Sequence, residues 1–527
     1  MTRPSLISGW ALRRQVLSFF LASIAVSTRL LSLGLGLLLA GPLCLCPQPL
    51  VGQSAAGGTL PAAPPQAGEA PVGRLILALL DNGTVGNAGA DARLALQAGA
   101  SVRAFYGPAP GPAWTVAADS ITPAAAAALG LLAAAPTFGL RADDYGWVRL
   151  MALRDSLAHP TTAAADNLAA RQARFEVYLS DAVLRLMLDL YRGRLRPTTL
   201  SPREVQTKQI FQPAETLRAG LAANRVGAAV RACQPTNREY RLLQAALVRW
   251  LRAPVAPDSA ALRQARYEQI ALNLERWRWE AITEPEYILI NLPAFVLQVV
   301  RGDTVQQQHR VIVGQSQTPT PTLSSAITYF TTAPDWHVPR SIAIREMLPR
   351  LQKDPGYLGR NNLTLYDQQN QRRNPYHIDW KRVTPENFPY TMRQSSGCDN
   401  ALGNIVFRFN NPYSVYLHDT PVRELFDRPQ RALSHGCVRV SGPMRLAAYL
   451  LRRDGRTVRL PSEVECANQP EPRHFLLRRP MPFYVRYLTC AADGGGQVRF
   501  LPDVYHHDDD LRRALFPPVP KPAVAEN

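Results

Sequence analysis

The sequence predicts an α+β protein: an N-terminal helical half, then a mostly β half interrupted by an inserted subdomain. Three observations carry that prediction. At 527 residues the chain is too long for one compact core, so two or three domains are expected. Between about 75 and 279 apolar residues recur at three- and four-residue spacing, whereas after Pro285 they fall into short β-branched runs. Hydrophobic residues make up 46% and charged residues 19%, a globular balance that excludes wholesale disorder.

The elements follow in order. Residues 1–56 read as an export segment. Arg3, Arg13, Arg14 and Arg29 supply positive charge, no acidic residue precedes Glu69, apolar stretches cover 16–26 and 30–45, and small residues stand at Ser54-Ala55-Ala56. That order is the secretory signal pattern. A retained membrane anchor is the alternative, because the apolar region is long. Cys44 and Cys46 lack the small-residue context of lipid attachment. Residues 57–74 are rich in Ala, Pro and Gly and predict a linker. In the helical half, 75–284, Phe175, Leu179, Ala182, Leu186 and Leu190 mark one buried helix face. Leu243, Leu247 and Trp250 repeat it, as do Tyr267, Ile270, Leu274 and Trp277. The stretch from Asn273 to Trp279 is dense in Trp and Arg, which reads as packing with guanidinium–aromatic stacking rather than as a ligand site.

The β half is expected over 285–515. Strands are predicted at 287–292, 295–300 and 309–313, with Arg301-Gly302-Asp303 as a hairpin turn rather than an adhesion motif. Residues 333–394, rich in Pro, Asn and charge, are too long for a plain loop and predict an inserted capping subdomain. Strands resume at 405–409, with Ile405, Phe407 and Phe409 inward, and at 415–418. A helix is expected from Ser441, its cap ahead of Pro443, to Arg453, with Gly455 just beyond the end. Late strands fall at 483–489 and 498–501. His506-His507 before Asp508, Asp509 and Asp510 looks metal-like, but reads better as the cap of a final helix. The Pro-rich tail 516–527 is expected to be disordered.

The formal charge is +18, or +14 without the four leading arginines. Because the basic residues are spread along the chain, an anionic wall or membrane surface fits better than nucleic acid. Export permits disulfides. Five cysteines follow the leading segment: Cys233, Cys398, Cys437, Cys466 and Cys490. The odd count fits one working thiol plus up to two bridges. Cys466 and Cys490 are near enough in sequence to pair, and buried free thiols are the alternative.

The informative stretch is Tyr416-Leu417-His418-Asp419-Thr420-Pro421 followed by Ser434-His435-Gly436-Cys437-Val438-Arg439-Val440. A cysteine attacking a carbonyl must become a thiolate, and a free pKa of about 8.5 leaves little of it at neutral pH. An imidazole supplies the missing basicity and returns the proton to the leaving amine. Gly436 clears room for a substrate backbone, and the amides of Gly436 and Cys437 could turn toward an oxyanion. A structural Cys remains open on chemistry alone. Zinc held by His418, His435 and Cys437 is disfavoured, since no fourth ligand is evident.

His418 followed after fifteen residues by Ser434-His435-Gly436-Cys437 resembles the signature of the L,D-transpeptidase (YkuD-type) catalytic domain. Thr320-Pro321, Pro334-Asp335-Trp336-His337-Val338-Pro339, Asn400-Ala401-Leu402-Gly403 and Leu417-His418-Asp419-Thr420-Pro421 are similar to the large Gram-negative members. In the helical half Ala104-Phe105-Tyr106, Gly139-Leu140 and the Asn273 to Trp279 stretch resemble their scaffold domain. Two departures stand out. The small peptidoglycan-binding module of many relatives is missing between Trp250 and the next helix. Cys398 ends Gln394-Ser395-Ser396-Gly397-Cys398, where a proline was expected before the glycine; a buried or bridged Cys is the favoured reading there.

The resemblance implies an α-helical scaffold domain before a mostly β catalytic domain with a lid. It implies Cys437 as nucleophile and His418 as base, His435 positioning the loop, and Ser434 in hydrogen-bonding support. Arg439 is expected to meet a substrate carboxylate, and Trp336 to serve as lid hinge or packing. Asp419 should point to the opposite strand face from His418. The implied partners are tetrapeptide stems of peptidoglycan as donor and acceptor, joined in 3–3 cross-links with loss of D-Ala. Carbapenems become possible inhibitors. No metal or organic cofactor is required, no nucleic acid partner is implied, and the expected location is the periplasm. Membrane contact would come only through an uncleaved N-terminal segment. An L,D-carboxypeptidase and a noncatalytic wall-binding scaffold are the rivals.

Overall fold

The computed structural model describes residues 71–82, 96–116, 120–158, 168–195, 211–254, 259–461 and 471–517. The expected export segment, most of the linker, Cys466 and nearly all of the tail lie outside the described residues. No helix among the described residues is long and apolar enough to cross a membrane.

The linker ends earlier than expected. Helix Pro71–Asn82 opens inside it, with Pro71 at the first helical position, where a missing N–H costs nothing. Its Ile76 and Leu80 are buried. The long helix Leu168–Arg192 is the axis of this region, and Phe175, Leu179, Ala182, Leu186 and Leu190 are all buried, as their spacing predicts. Helices Pro71–Asn82, Gly99–Tyr106, Pro123–Ala133 and Trp147–Ala158 pack around it.

Helices Arg238–Arg252 and Ala260–Arg278 join the helical region to the β region. Tyr240, Leu243, Leu247, Ile270, Leu274 and Trp277 share one core with Tyr287, Leu289, Val300, Tyr484 and Leu488. Arg278 is fully buried against Glu275 at 3.0 Å, and Arg276 meets Asp508 at 2.7 Å while stacking over Tyr487. The Trp- and Arg-dense stretch is thus a packing seam.

The β region is a nine-stranded sheet. Its order is Ala432–Ser434, Thr304–Gly314, Val438–Val440, Leu417–His418, Ile405–Phe409, Leu323–Thr332, Arg473–Arg486, Glu286–Asn291, Val296–Arg301. The long strand Thr304–Gly314 pairs with Val296–Arg301 over its first half and with Val438–Val440 beyond, so the sheet closes on itself. Ile288, Leu297, Val311, Phe330, Phe407, Leu417 and Val438 fill the interior, sealed by Leu446, Leu450 and Leu451 of helix Pro443–Arg453. Arg301-Gly302-Asp303 is the expected hairpin turn, with Gly302 at φ 56°.

At Ala333, whose φ of 49° is unusual for a non-glycine, the chain leaves strand Leu323–Thr332 for the insert. The insert has its own core of Met347, Leu351, Leu365, Trp380, Phe388 and Met392. Its four-stranded sheet runs Trp336–His337, Thr391–Gln394, Leu363–Tyr366, Arg372–Arg373.

Four expectations need correcting. The strand expected at 415–418 is only Leu417–His418. Ser441 does not cap the following helix: its N–H donates to the Arg310 carbonyl and its own carbonyl accepts from His309 Nδ1, so Gly442 at φ 57° makes the turn instead. The final helix Asp508–Leu515 takes no side-chain cap from His507; the Asp503 carboxylate accepts the amides of His507 and Asp508, each at 2.9 Å. Cys490 is a free buried thiol and therefore does not pair with Cys466. Cys398 is disulfide-bonded, and Cys233 is free, buried, and pushed up to about 12 by that burial.

Candidate active site

Three adjacent strands build the site. Leu417 lies opposite Phe407 on one side and Val438 on the other, and His418 lies opposite Val406 and Arg439. Leu417, Phe407 and Val438 point into the core. Alternation then puts His418 and Arg439 on the other face, with Cys437, Tyr416 and Arg408 forming the next row along it.

Cys437 is half-buried at the end of a tightly held loop. Ser434 Oγ donates to the Cys437 carbonyl at 2.6 Å and accepts from the Gly436 amide at 3.2 Å. Thr320 Oγ1 donates to the Gly436 carbonyl at 2.8 Å, and the Ser434 carbonyl accepts from Gln315 N and Thr318 Oγ1. Gly436 sits at φ 110°, a region that favours glycine, which explains the residue type before Cys437. The Gly436 amide is therefore committed within the loop.

His418 is only 6% exposed. Burial, helped by the nearby Arg439 guanidinium, pushes its pKa down to about 3, while main-chain groups of Asp419 and Leu402 pull the other way. The imidazole is neutral throughout the neutral range and can accept a proton. Burial raises the Cys437 thiol, against hydrogen bonds from Tyr416 and the charges of Arg408 and Arg439. A resting thiol beside a neutral imidazole results, rather than a preformed ion pair. Asp419 turns away as expected: it accepts the Asn404 amide at 3.0 Å and pairs with Arg423 at 3.6 Å.

The other expected residues fall around this pair. Arg439 is half-buried, and its Nε is buried without a partner. His435 is exposed, its Nε2 2.7 Å from Glu346 Oε1 on the insert. Trp336, on the first strand of the insert, and the Cys437 sulfur both lie close enough to the Tyr416 hydroxyl to act on its pKa, which burial above all pushes up to about 12. The insert thus meets the Cys437 loop through Glu346, with Trp336 near the Tyr416 hydroxyl. Among the described residues no group of three His, Cys, Asp or Glu could hold a metal ion.

Tyr416, Arg408 and Glu346 were not singled out from sequence. Tyr416 had a signal, since it stands two residues before His418 in the run 415–418 expected as a strand and so would share its face. Its ring meets the imidazole edge-on at 5.7 Å and carries the Arg408 guanidinium at 4.7 Å. Arg408 and Glu346 depend on register and on the insert's fold, which no local pattern encodes.

Comparison with known proteins places this site in a family context. Residues 285–460 match the L,D-transpeptidase catalytic domain, YkuD, and residues 100–247 match a scaffold domain. A Haemophilus influenzae protein, named provisionally as an L,D-transpeptidase, is 34% identical over 250 residues. That match covers 47% of this chain and 49% of the relative, so the chain spans about half the length of the curated relative it matches.

Proposed function

We propose, from a chain that carries an L,D-transpeptidase catalytic domain together with a scaffold domain, that it cross-links peptidoglycan stem peptides through a Cys437 thioester. The observation that carries this reading is the shared face of Cys437 and neutral His418 on adjacent strands. His418 takes the thiol proton as sulfur attacks the carbonyl joining the third stem residue to the terminal D-Ala. With the Gly436 amide occupied by Ser434, the Cys437 amide is the group left to meet the oxyanion. The proton on His418 passes to the departing D-Ala amine, leaving a thioester. The amine of a neighbouring stem's third residue then attacks, His418 accepts its proton, and the thiol is regenerated with a 3–3 cross-link.

Placement supports the remaining roles in this reading. Ser434 and Gly436 fix the loop, His435 ties it to the insert, and Tyr416 with Trp336 holds the sulfur. Arg439 offers a planar cation to a stem carboxylate. The insert excludes water so that amine outcompetes hydrolysis. Such chemistry belongs in the periplasm, reached through the leading segment, and a carbapenem should acylate the same sulfur.

The test is the intact mass of wild type and Cys437→Ala after incubation with a disaccharide-tetrapeptide and with a carbapenem. A wild-type adduct absent from the variant, with a dimeric muropeptide lacking one D-Ala, is expected. An adduct yielding only tripeptide would make the enzyme an L,D-carboxypeptidase. No adduct from folded protein would leave a noncatalytic wall-binding scaffold.

A further inference from the structure

We propose that Arg408 is a donor-recognition residue of this site, binding the carboxylate of the residue that leaves. The proposal rests on the acyl-transfer reading above and names which end of the donor is recognised. Arg408 lies in the same row as Tyr416 and Cys437, two strands across from the sulfur, an α-carbon distance of roughly 10 Å. Its side chain turns into that gap, lying over the Tyr416 ring at 4.7 Å, the ring of the residue between it and Cys437 in the row.

No carboxylate is paired with this guanidinium among the described residues, and no hydrogen bond is made by it there; the Tyr416 ring is its contact. The face already holds Arg439, whose Nε is buried without a partner. Two guanidiniums flanking one thiol, neither neutralised, form a site that is electrostatically incomplete until an anion enters. Both charges favour the thiolate, and neither is paired with a carboxylate among the described residues. An ordinary structural arginine would be expected to have a carboxylate, as Arg278, Arg276 and Arg453 do.

The reaction supplies the anion. The residue expelled from a tetrapeptide ends in a carboxylate one carbon from the scissile nitrogen, so it lies within reach of a cation whose charge acts on both the sulfur and His418, as that of Arg408 does. A donor extended by a fifth residue, or capped as an amide, places no charge there. Arg408 on this account makes the site read the free end of the stem, while Arg439, in the His418 row, remains for a carboxylate of the retained part.

Binding separates this from chemistry. The full chain bearing Cys437→Ala is titrated calorimetrically with a disaccharide-tetrapeptide ending in the free acid and with the same compound as its terminal carboxamide. The acid is expected to bind about tenfold more tightly, the size of a charge-assisted hydrogen bond. Adding Arg408→Gln should bring the ratio to within about twofold, and Arg408→Lys, which keeps the charge without the fork, should give an intermediate ratio and serves if the glutamine variant does not fold. Equal binding of acid and amide to Cys437→Ala, or a ratio unchanged by either substitution, overturns the proposal. If the acid preference obeys Arg408 but wild type forms no thioester with that peptide, the transpeptidase reading fails while the Arg408 assignment stands.

Discussion

His418 sets the acid sensitivity of its own surroundings. In the unfolded chain an imidazole takes up its proton as pH falls below about 6.5. In the folded chain burial delays that uptake to about 3. Between those values the unfolded state binds the extra proton, so stability is lost as pH falls through the window. The slope is roughly 1.4 kcal/mol per pH unit where only the unfolded state is protonated. Denaturation midpoints from pH 7 to 4 should therefore fall faster for wild type than for His418→Gln; parallel curves would mean that the imidazole is not held neutral. The same residue shows what was legible in the sequence. His418 and Cys437 stood out in the sequence through the resemblance of their motif to a known family, and the fold brings them to one face of adjacent strands. Arg408 carries no such mark, and its place opposite Tyr416 follows from strand register. Ser441 misled because its side chain suits a cap while its backbone was already spoken for by Arg310 and His309.

Among the elements, the insert was legible as an interruption but not as a fold. Its strands are two to four residues long, too short for period-two alternation to register. Once folded, it holds the Cys437 loop through Glu346 and His435, with Trp336 near Tyr416. The Glu346–His435 pair is exposed, with side-chain accessibilities of 40% and 45%, so its loss should cost under about 1 kcal/mol of global stability. Its effect should instead be local. Glu346→Ala is expected to leave the thermal midpoint nearly unchanged while raising amide exchange over 340–351 and speeding iodoacetamide labelling of Cys437. Unaltered exchange and labelling would show that the pair does not restrain the insert.

At the scale of the whole molecule, the helical and β regions share a buried seam, so they should unfold together. Arg276 and Asp508 meet within it at 2.7 Å, with side chains 10% and 4% accessible. Asp508→Ala leaves a buried guanidinium without its carboxylate and should cost about 3 kcal/mol. A single calorimetric transition shifted downward is expected for that variant; two separated transitions, or none displaced, would show the regions to be independent. The seam was foreshadowed by the Trp- and Arg-dense stretch, whereas Asp508 could be placed only once the last helix had folded back. The closure of the main sheet reaches further still. A sheet that returns to its own first strands exposes few unsatisfied edges, and here the outermost strand is the three-residue Ala432–Ser434. Unpaired edges are templates for the strands of other unfolded chains. A chain that refolds among crowded neighbours is, by this geometry, a poor seed for aggregation once its ring of strands has formed.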